Sequence, residues 1–496
     1  MLLRPSAHDL KFIAHDLGRI LAVVALAGLL PLGWALARRE WAPASHVLVM
    51  IGFCILAAGA AQLIDPGRRT KVDWSHGLVV VALTWLVVPA VATIPLYLSG
   101  HYGSWIDSYF DAMSGVTTTG LAVIEDLDHL SDAANMWRHT IQFLGGQGIV
   151  LAALTFFSAS GALSLYQAEG RDDRIFPSVG STARFIWLVS IVHLIFGVTA
   201  LTIDGVIGQG FTFDRSLFHA LAVFMAAFDT GGFSPQSTSI AYYHSALYEV
   251  IIAVLMVAGA MSFGLHHAIW TKRRGLVRNL EVRTLAITMG ITIVVTLIGL
   301  TAIYADPSGL VRRGLFQVVS AHTGTGFATV SSAELSRWSG LAFAGMAVAM
   351  ALGGMSSSTA GGVKSLRIGL TVRALIDTVK AALLPEHTVM PANYTQYGRQ
   401  RLDARLAQSV MTVSLLYVGL YLFGAAVGIA NGYGLQESLF ESVSAAAAVG
   451  LSVGVTSPAM PLIMKLTMIF QMWIGRLEFI AAFALAGFVW STVAGE

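Results

Sequence analysis

Residues 319–330 read VSAHTGTGFATV, with two glycines among three threonines, directly after a hydrophobic run and beside His322. Glycine weakens a helix by about 1 kcal/mol relative to alanine, and a threonine in apolar surroundings must satisfy its hydroxyl. The same plan recurs. FDAMSGVTTTGL (110–121), FHALAVFMAAFDTGGF (218–233), FQVVSAHTGTGF (316–327) and FESVSAAAAVGL (440–451) each start at a Phe and continue with helix-compatible residues. Each ends at a Gly followed by an apolar residue. The Phe-to-Gly spacing is 10, 14, 10 and 10, so the second stretch is longer by about one helical turn.

The surrounding chain explains where such stretches can sit. Its 496 residues are 55% hydrophobic and 12% charged, against about 25% charged in soluble domains. Apolar runs give ten expected spans: 17–37, 46–64, 76–98, 137–160, 184–205, 245–270, 283–304, 339–378 (interrupted), 405–430 and 461–491. Segments 1–19, 65–75, 169–184, 271–283 and 364–405 hold 21 of the 30 Lys and Arg residues. By the positive-inside rule these face the cytoplasm, with both termini. A net charge of +2 implies no nucleic-acid partner. The single cysteine, Cys54, lies in an apolar run and reads as packing. Arg4, Lys11 and Arg19 precede a run ending Ala35-Leu36-Ala37, like a signal peptide. That run is long for such a peptide and another follows it, so a retained first helix is expected.

Each of the four short stretches lies between two spans on the outer side. The expected fold is therefore an all-α polytopic membrane protein with four parallel span–re-entrant loop–span repeats around a central pore. Two N-terminal spans (1–70) precede repeats at 71–168, 169–275, 276–395 and 396–496. Two spans per unit give all four units one orientation, so they can surround an axis along the membrane normal. Non-helical backbone at membrane depth is tolerated only where protein buries it or water reaches it. Four such turns can meet at the axis.

A cation leaving water loses hydration worth tens of kcal/mol in a low-dielectric medium, and a ring of backbone carbonyls can replace it. Turning successive carbonyls inward needs backbone angles that glycine adopts readily. The candidate filter is Thr118, Thr119 and Gly120; Thr230, Gly231 and Gly232; Thr323, Gly324, Thr325 and Gly326; and Val449 with Gly450. Threonine hydroxyls, Thr117 included, can add oxygens or brace the turns. The short helices aim their partially negative C-terminal ends inward, favouring cations.

This pattern resembles the TrkH/TrkG/KtrB superfamily of bacterial potassium transporters. Besides the TTTG and TGGF turns, the resemblance rests on WRHTIQFLGGQGIV (137–150), GGMSSSTAGGVK (353–364) and IGRLE (474–478), and covers about residues 70–490. The two additional N-terminal spans and FDTGGFSPQSTSIAYYHS (228–245) look more like the TrkH branch. The resemblance implies K⁺ uptake in the bacterial cytoplasmic membrane and a homodimer. It also implies a cytoplasmic, nucleotide-binding regulatory subunit of the TrkA (RCK) type. No organic cofactor is expected in this chain, and no soluble stretch is long enough to be that regulatory domain. The basic loops 271–283 and 364–405 read equally as docking surfaces and as what orientation demands.

GGMSSSTAGG (353–362) interrupts the span at 339–378 with Gly353, Gly354, Ser356, Ser357, Ser358, Thr359, Gly361 and Gly362. The family treats this segment as an intramembrane gate loop; a passive kink is the other reading. Arg476 is a guanidinium inside the last span, and such charges face an interior cavity with a partner or task. Gate-loop hydroxyls or carbonyls are better partners than Glu478, and Arg476 reads as a barrier or gate anchor, or as half of a structural ion pair. Lys364 either faces the cavity or snorkels to the inner surface. Asp111, Glu125, Asp126, Asp229 and Glu441 are expected to cap helices or be solvated, with some focusing cations at the outer mouth. His322, His266 and His267 lack metal-ligand companions and read as structural. The fourth turn, AAAAVGLSVG (445–454), has no threonine, and the additional Gly324 is expected to loosen the third. An ion-coupled (H⁺ or Na⁺) symporter is the main alternative. A membrane-embedded enzyme would need catalytic pairs that the sequence lacks.

Overall fold

The computed structural model describes residues 7–64, 74–149, 175–176, 178–273, 275–385 and 393–494. Helix α1 (Ala7–Ala27) continues through Gly28 into α2 (Leu29–Arg38), and the chain returns along α3 (Trp41–Gln62). Both α1 and α3 pack on α4 (Trp74–Leu98), which begins the first repeat. That repeat continues with α5 (Trp105–Val116) and α6 (Asp132–Gln147). The second comprises α7 (Val179–Ile203), α8 (Phe213–Phe228), α9 (Ala246–Ala260) and α10 (Phe263–Trp270). In the third come α11 (Leu280–Leu300), α12 (Pro307–His322), the one-turn α13 (Ser332–Leu335), α14 (Gly340–Ala351) and α15 (Ser365–Leu383). A small antiparallel hairpin, β1 (Asn393–Thr395) and β2 (Arg399–Arg401), pairs Asn393 with Arg401. The last repeat is α16 (Ala404–Ala430), α17 (Leu435–Ala446), α18 (Leu462–Leu477) and α19 (Ile480–Ala494).

Among the described residues, six helices are long and apolar enough to cross a membrane: 9–38, 41–62, 76–98, 179–208, 280–300 and 404–430. Their outward faces carry Leu56, Phe196 and Leu415, each at least 70% exposed in the isolated chain. Apolar surface of that kind is what lipid covers, and the protein is membrane-embedded. Of the other four expected spans, two differ. The runs 245–270 and 461–491, read as unbroken, bend by 103° between α9 and α10 and by 111° between α18 and α19. At the first bend Ser262 leaves the helix and caps α10, accepting from the Leu265 amide at 3.2 Å. At the second, Glu478 and Phe479 take left-handed φ values of 51° and 74°. Neither break contains a proline, so the apolar run conceals it. The run 339–378 is interrupted between α14 and α15, as expected. Of 137–160, α6 covers the beginning and residues 150–160 lie outside the described residues. So do Arg4, the boundaries at 70/71 and 168/169, residues 65–73 of the basic segment 65–75, and residues 169–174 and 177 of the segment 169–184.

The short helices α5, α8, α12 and α17 form the centre. Each ends four residues before its turn glycine, at Val116, Phe228, His322 and Ala446. Phe110, Phe316 and Phe440 all lie six residues before those ends, and the matching position in α8 is Ala222. Phe218 is therefore a different landmark, one turn earlier, and the apparent four-residue excess of the second stretch is corrected. Helices α8 and α12 have 16 residues and α5 and α17 have 12, so the additional turn is added at the outer N-terminus. The approach to the glycine is uniform.

Candidate ion filter and gate

Each short helix closes with the same pair of hydrogen bonds. The amides of Thr119, Gly231, Thr325 and Val449 donate to Ser114, Ala226, Ser320 and Ser444 carbonyls at 2.8, 2.8, 2.9 and 2.9 Å. One residue earlier, Thr118, Thr230, Gly324 and Ala448 donate to Gly115, Ala227, Ala321 and Ala445. This is a Schellman cap, whose middle residue must be left-handed. Those residues have φ of 56°, 50°, 74° and 53°. A side chain there costs about 1–2 kcal/mol. Gly324 avoids that cost. It occupies the cap position that Thr118, Thr230 and Ala448 fill elsewhere, which corrects the expectation that it is an additional glycine loosening its turn.

Two residues further on, Gly120, Gly232, Gly326 and Gly450 again have positive φ, between 71° and 93°. This alternation of φ sign turns successive carbonyls toward one side. The four turns also touch in sequence. A Cβ on Gly120 would lie 2.4 Å from Gly231 O; on Gly232, 1.9 Å from Thr325 O; on Gly326, 1.8 Å from Val449 O; on Gly450, 2.2 Å from Thr119 O. The fourth contact returns to the first turn, so the ring closes. Each contact pairs a turn glycine with the carbonyl of the residue before the next one, and only a residue without a side chain fits. Four helix C-termini, each with about half a negative charge, converge on the same place.

The threonine hydroxyls are spoken for behind the ring. Thr117 Oγ1 donates to Met113 O at 2.7 Å and pairs with Thr119 Oγ1 at 2.8 Å. Thr323 repeats this with Val319 O and Thr325 Oγ1, both at 2.8 Å. The threonine-free fourth turn is braced differently. Ser444 Oγ accepts from the Gly450 amide at 3.0 Å. Glu441 accepts from Val453 N (3.0 Å), Val455 N (3.2 Å), Ser452 Oγ and Thr456 Oγ1 (both 2.6 Å). Gln317, at the same place in the third repeat, accepts from Thr329 N at 2.9 Å.

The second turn is held by α6. Asn135 Nδ2 donates to Pro235 O (3.1 Å) and Gln142 Nε2 to Gly231 O (2.7 Å). Gln147 Nε2 donates to Asp229 Oδ1 (2.6 Å), and His139 Nε2 lies 3.2 Å from Phe233 O. Beside them Arg138, 1% exposed, pairs with fully buried Asp111 at 2.8 Å and stacks 4.2 Å above the Phe233 ring. Tyr102 completes the set, donating to Asp111 at 2.8 Å. Asp111 and Glu441 are thus buried braces, correcting the expectation that they are solvated or cap helices. Asp229 does stand at a helix C-terminal cap. Asp126 is exposed and pairs with His129 at 2.9 Å. This hydrogen-bonded pairing lowers the Asp126 pKa and raises that of His129. His322 Nε2 lies 2.9 Å from Thr288 Oγ1, and His266 Nε2 3.0 Å from Ala258 O, as partnered histidines. No cluster of three metal-ligating side chains occurs among the described residues.

From the glycines onward, the turns line a cavity of about 400 Å³ that also reaches Arg138 and Thr456. The residues before the glycines face the loop between α14 and α15. There Thr359 Oγ1 lies 3.1 Å from Thr230 Oγ1 and donates to Gly259 O at 2.9 Å. A Cβ on Gly361 would lie 2.2 Å from Ala447 O. Gly353, Gly354 and Gly362 pack within the loop: a Cβ on Gly353 would lie 1.9 Å from Gly361 O. A Cβ on Gly354 would come 2.9 Å from Ala260 O, and Gly362 has φ 71°. Ser357 is left-handed at φ 54°, Ser358 Oγ donates to Met355 O, and the Ser356 amide donates to Glu281. Lys364 is buried and donates to Ala360 O, so it does not snorkel away from the loop.

Arg476 joins three elements. Its Nη1 donates to Thr118 Oγ1 (3.1 Å) and Thr359 O (2.8 Å), and its Nη2 donates to Gly145 O (3.0 Å). The guanidinium carbon lies 5.3 Å from the Trp85 ring centre. Glu478 instead pairs with Arg367 at the α18–α19 bend. Loop and arginine together contact all four turns: Arg476 the first, Thr359 the second, Gly361 the third and fourth, with a Cβ on Gly324 3.4 Å from Gly361 N.

The family profile described as TrkH, cation transport protein, matches residues 45–488. An uncharacterised cation transporter of Methanocaldococcus jannaschii is 30% identical over 485 residues, covering 97% of this chain and 96% of its own. The Trk system potassium uptake protein TrkH of Halomonas elongata is 28% identical, covering 95% and 97%. TrkG of Escherichia coli is 25% identical, covering 98% and 99%. In fold, the chain is similar to the crystal structure of the potassium transporter TrkH from Vibrio parahaemolyticus (TM-score 0.82, 23% identity, covering 96% and 98%). A profile match spanning most of the chain, with this fold, means that the protein belongs to the TrkH family of cation transport proteins.

Proposed function

We propose that the chain conducts K⁺ into the cell through a channel-like pore in the cytoplasmic membrane, with both termini inside. The observation that carries this reading is the closed cycle of glycine-to-carbonyl contacts among four helix-terminated turns. An ion at its centre would trade water for the carbonyls of Thr119, Gly231, Thr325 and Val449 and their neighbours, while four helix ends lower its energy further. K⁺ as the cargo is supported by relatives named Trk system potassium uptake proteins. The loop 353–362 with Arg476 and Lys364 acts as the gate: it lies against every turn and puts two cationic groups beside the path. The pore divides into the four repeats 71–168, 169–275, 276–395 and 396–496. The assembly is a homodimer, with a separate cytoplasmic nucleotide-binding subunit of the TrkA type acting on the gate.

The coupled alternative, H⁺ or Na⁺ moving with K⁺, is kept by one observation: buried Asp229 is an ionisable group at the foot of the second turn. Rubidium uptake in a strain lacking its own potassium transport tests the main reading, and no uptake refutes it. In voltage-clamped vesicles, a reversal potential that follows K⁺ and ignores the pH and Na⁺ gradients favours the pore. A stoichiometric shift with either gradient favours coupling.

A further inference from the structure

We infer that Gln142 is a positioning residue for ion discrimination: its carboxamide fixes the second turn's ring carbonyl in place of the side chain that turn lacks. The inference rests on the pore reading above.

In three turns the residue before the turn glycine is Thr119, Thr325 or Val449, all β-branched and stiff. The second turn instead has Gly231 followed by Gly232, the pair with the greatest backbone freedom. The missing side chain's space is filled from another repeat. A Cβ on Gly231 would lie 2.4 Å from Gln142 Cδ and 2.5 Å from its Cγ. Gln142 is fully buried on α6 and spans Gly232 with two bonds. Its Nε2 donates to Gly231 O at 2.7 Å, and its Oε1 accepts from the Phe233 amide at 3.3 Å.

Gly231 O is one of the four ring carbonyls. Among the described residues, no side chain donates to the corresponding Thr119, Thr325 or Val449 oxygen. The second carbonyl therefore differs from the others in two ways. One of its two lone pairs is already engaged, and its orientation depends on α6. Without the amide, the carbonyl regains its second lone pair, and the peptide between the two glycines is held only by the Gly232 amide's 3.3 Å bond to Ala226 O. Both changes alter the number and field strength of the oxygens an ion meets, on which discrimination between K⁺ and Na⁺ depends.

The test uses the purified full-length chain in proteoliposomes, with the K⁺:Na⁺ permeability ratio read from bi-ionic reversal potentials. Gln142→Leu keeps the volume and removes both bonds. Gln142→Met does the same with a linear side chain, should the branched one pack badly. Gln142→Glu replaces the donor with an acceptor facing Gly231 O. Each folded variant is expected to shift the ratio by at least about fivefold, the equivalent of one hydrogen bond, with a normal elution profile. Ratios within about twofold of wild type in folded variants overturn the inference. Failure of all three to yield folded protein also overturns it, because Gln142 is then only a structural brace. A wild-type chain with no K⁺-dependent potential refutes the pore reading itself, a distinguishable outcome.

Discussion

Replacing Arg476 with alanine tests the gate most directly. In the described state its guanidinium ties the first turn (Thr118), the loop (Thr359) and α6 (Gly145) with bonds of 2.8–3.1 Å. If ions pass only when the loop withdraws, the Thr359 bond breaks on opening while the other two can persist. A hydrogen bond from a charged donor is worth about 1.5–3 kcal/mol, part of which water restores in an open pore. Taking about 2 kcal/mol for the difference, Arg476→Ala shifts the closed–open equilibrium about 30-fold toward open. Removing a positive charge from the path adds to the flux. Arg476→Lys keeps the charge but cannot span three acceptors, so its flux is expected to lie between the two. The assay is rubidium uptake into proteoliposomes at zero potential without any regulatory subunit, normalised to folded protein. Alanine flux within about twofold of wild type refutes the argument. Lysine matching wild type while Arg476→Gln matches alanine would assign the effect to charge and not to the bond network.

The two glycines of the third turn should behave oppositely. Gly324→Ala places a Cβ at an ordinary 3.4 Å from Gly361 N and needs the φ that Ala448 already adopts, so a stability cost of about 1 kcal/mol and near-normal selectivity are expected. Gly326→Ala or Gly326→Ser drives a Cβ to 1.8 Å from Val449 O; the ring must shift, and the K⁺:Na⁺ ratio from reversal potentials should fall. Asp111→Asn strands the Arg138 guanidinium in a fully buried site, so a loss of about 3–5 kcal/mol, read as a lowered melting temperature in detergent, is expected. In the outer loop, His129 has a raised pKa because it bonds Asp126. That pairing is complete below the ordinary histidine pKa and lost as pH rises through the raised value, so intrinsic-rate-corrected hydrogen exchange near residue 129 should increase on going alkaline. Asp126→Asn should abolish this pH dependence.

The centre of the fold was legible because its constraint is local and repeated: an apolar helix, a forced left-handed residue and a glycine leave the same mark four times. The Phe landmark misled in the second stretch because aromatic packing tolerates a shift of one turn, whereas the cap-to-glycine spacing does not. The bends at Ser262 and Glu478 were hidden because tertiary contacts make them. Arg367 pairs with Glu478, and Tyr397, at the tip of the β1–β2 hairpin, lies where a Cβ on Gly264 would meet its ring at 2.9 Å. The bracing roles of Asp111 and Glu441 are not legible locally because their partners, Arg138 and the segment 452–456, are distant in the chain or lie beyond the turn. The clamp by α6 did carry a signal. Asn135, Arg138, His139, Gln142 and Gln147 recur at spacings that place polar groups along one side of a helix otherwise suited to a membrane, and such groups require acceptors inside the protein.

The collar of glycines has a handedness. Each quarter rests its bare Cα on the carbonyl of its successor, always in the same rotational sense. A shift of one segment toward its successor is thus never local: Gly120 moving toward Gly231 O pushes on the second turn, and Gly232 moving toward Thr325 O pushes on the third, until the disturbance comes full circle. The ring of turns answers such a push as a unit, even though its four quarters carry different side chains behind it.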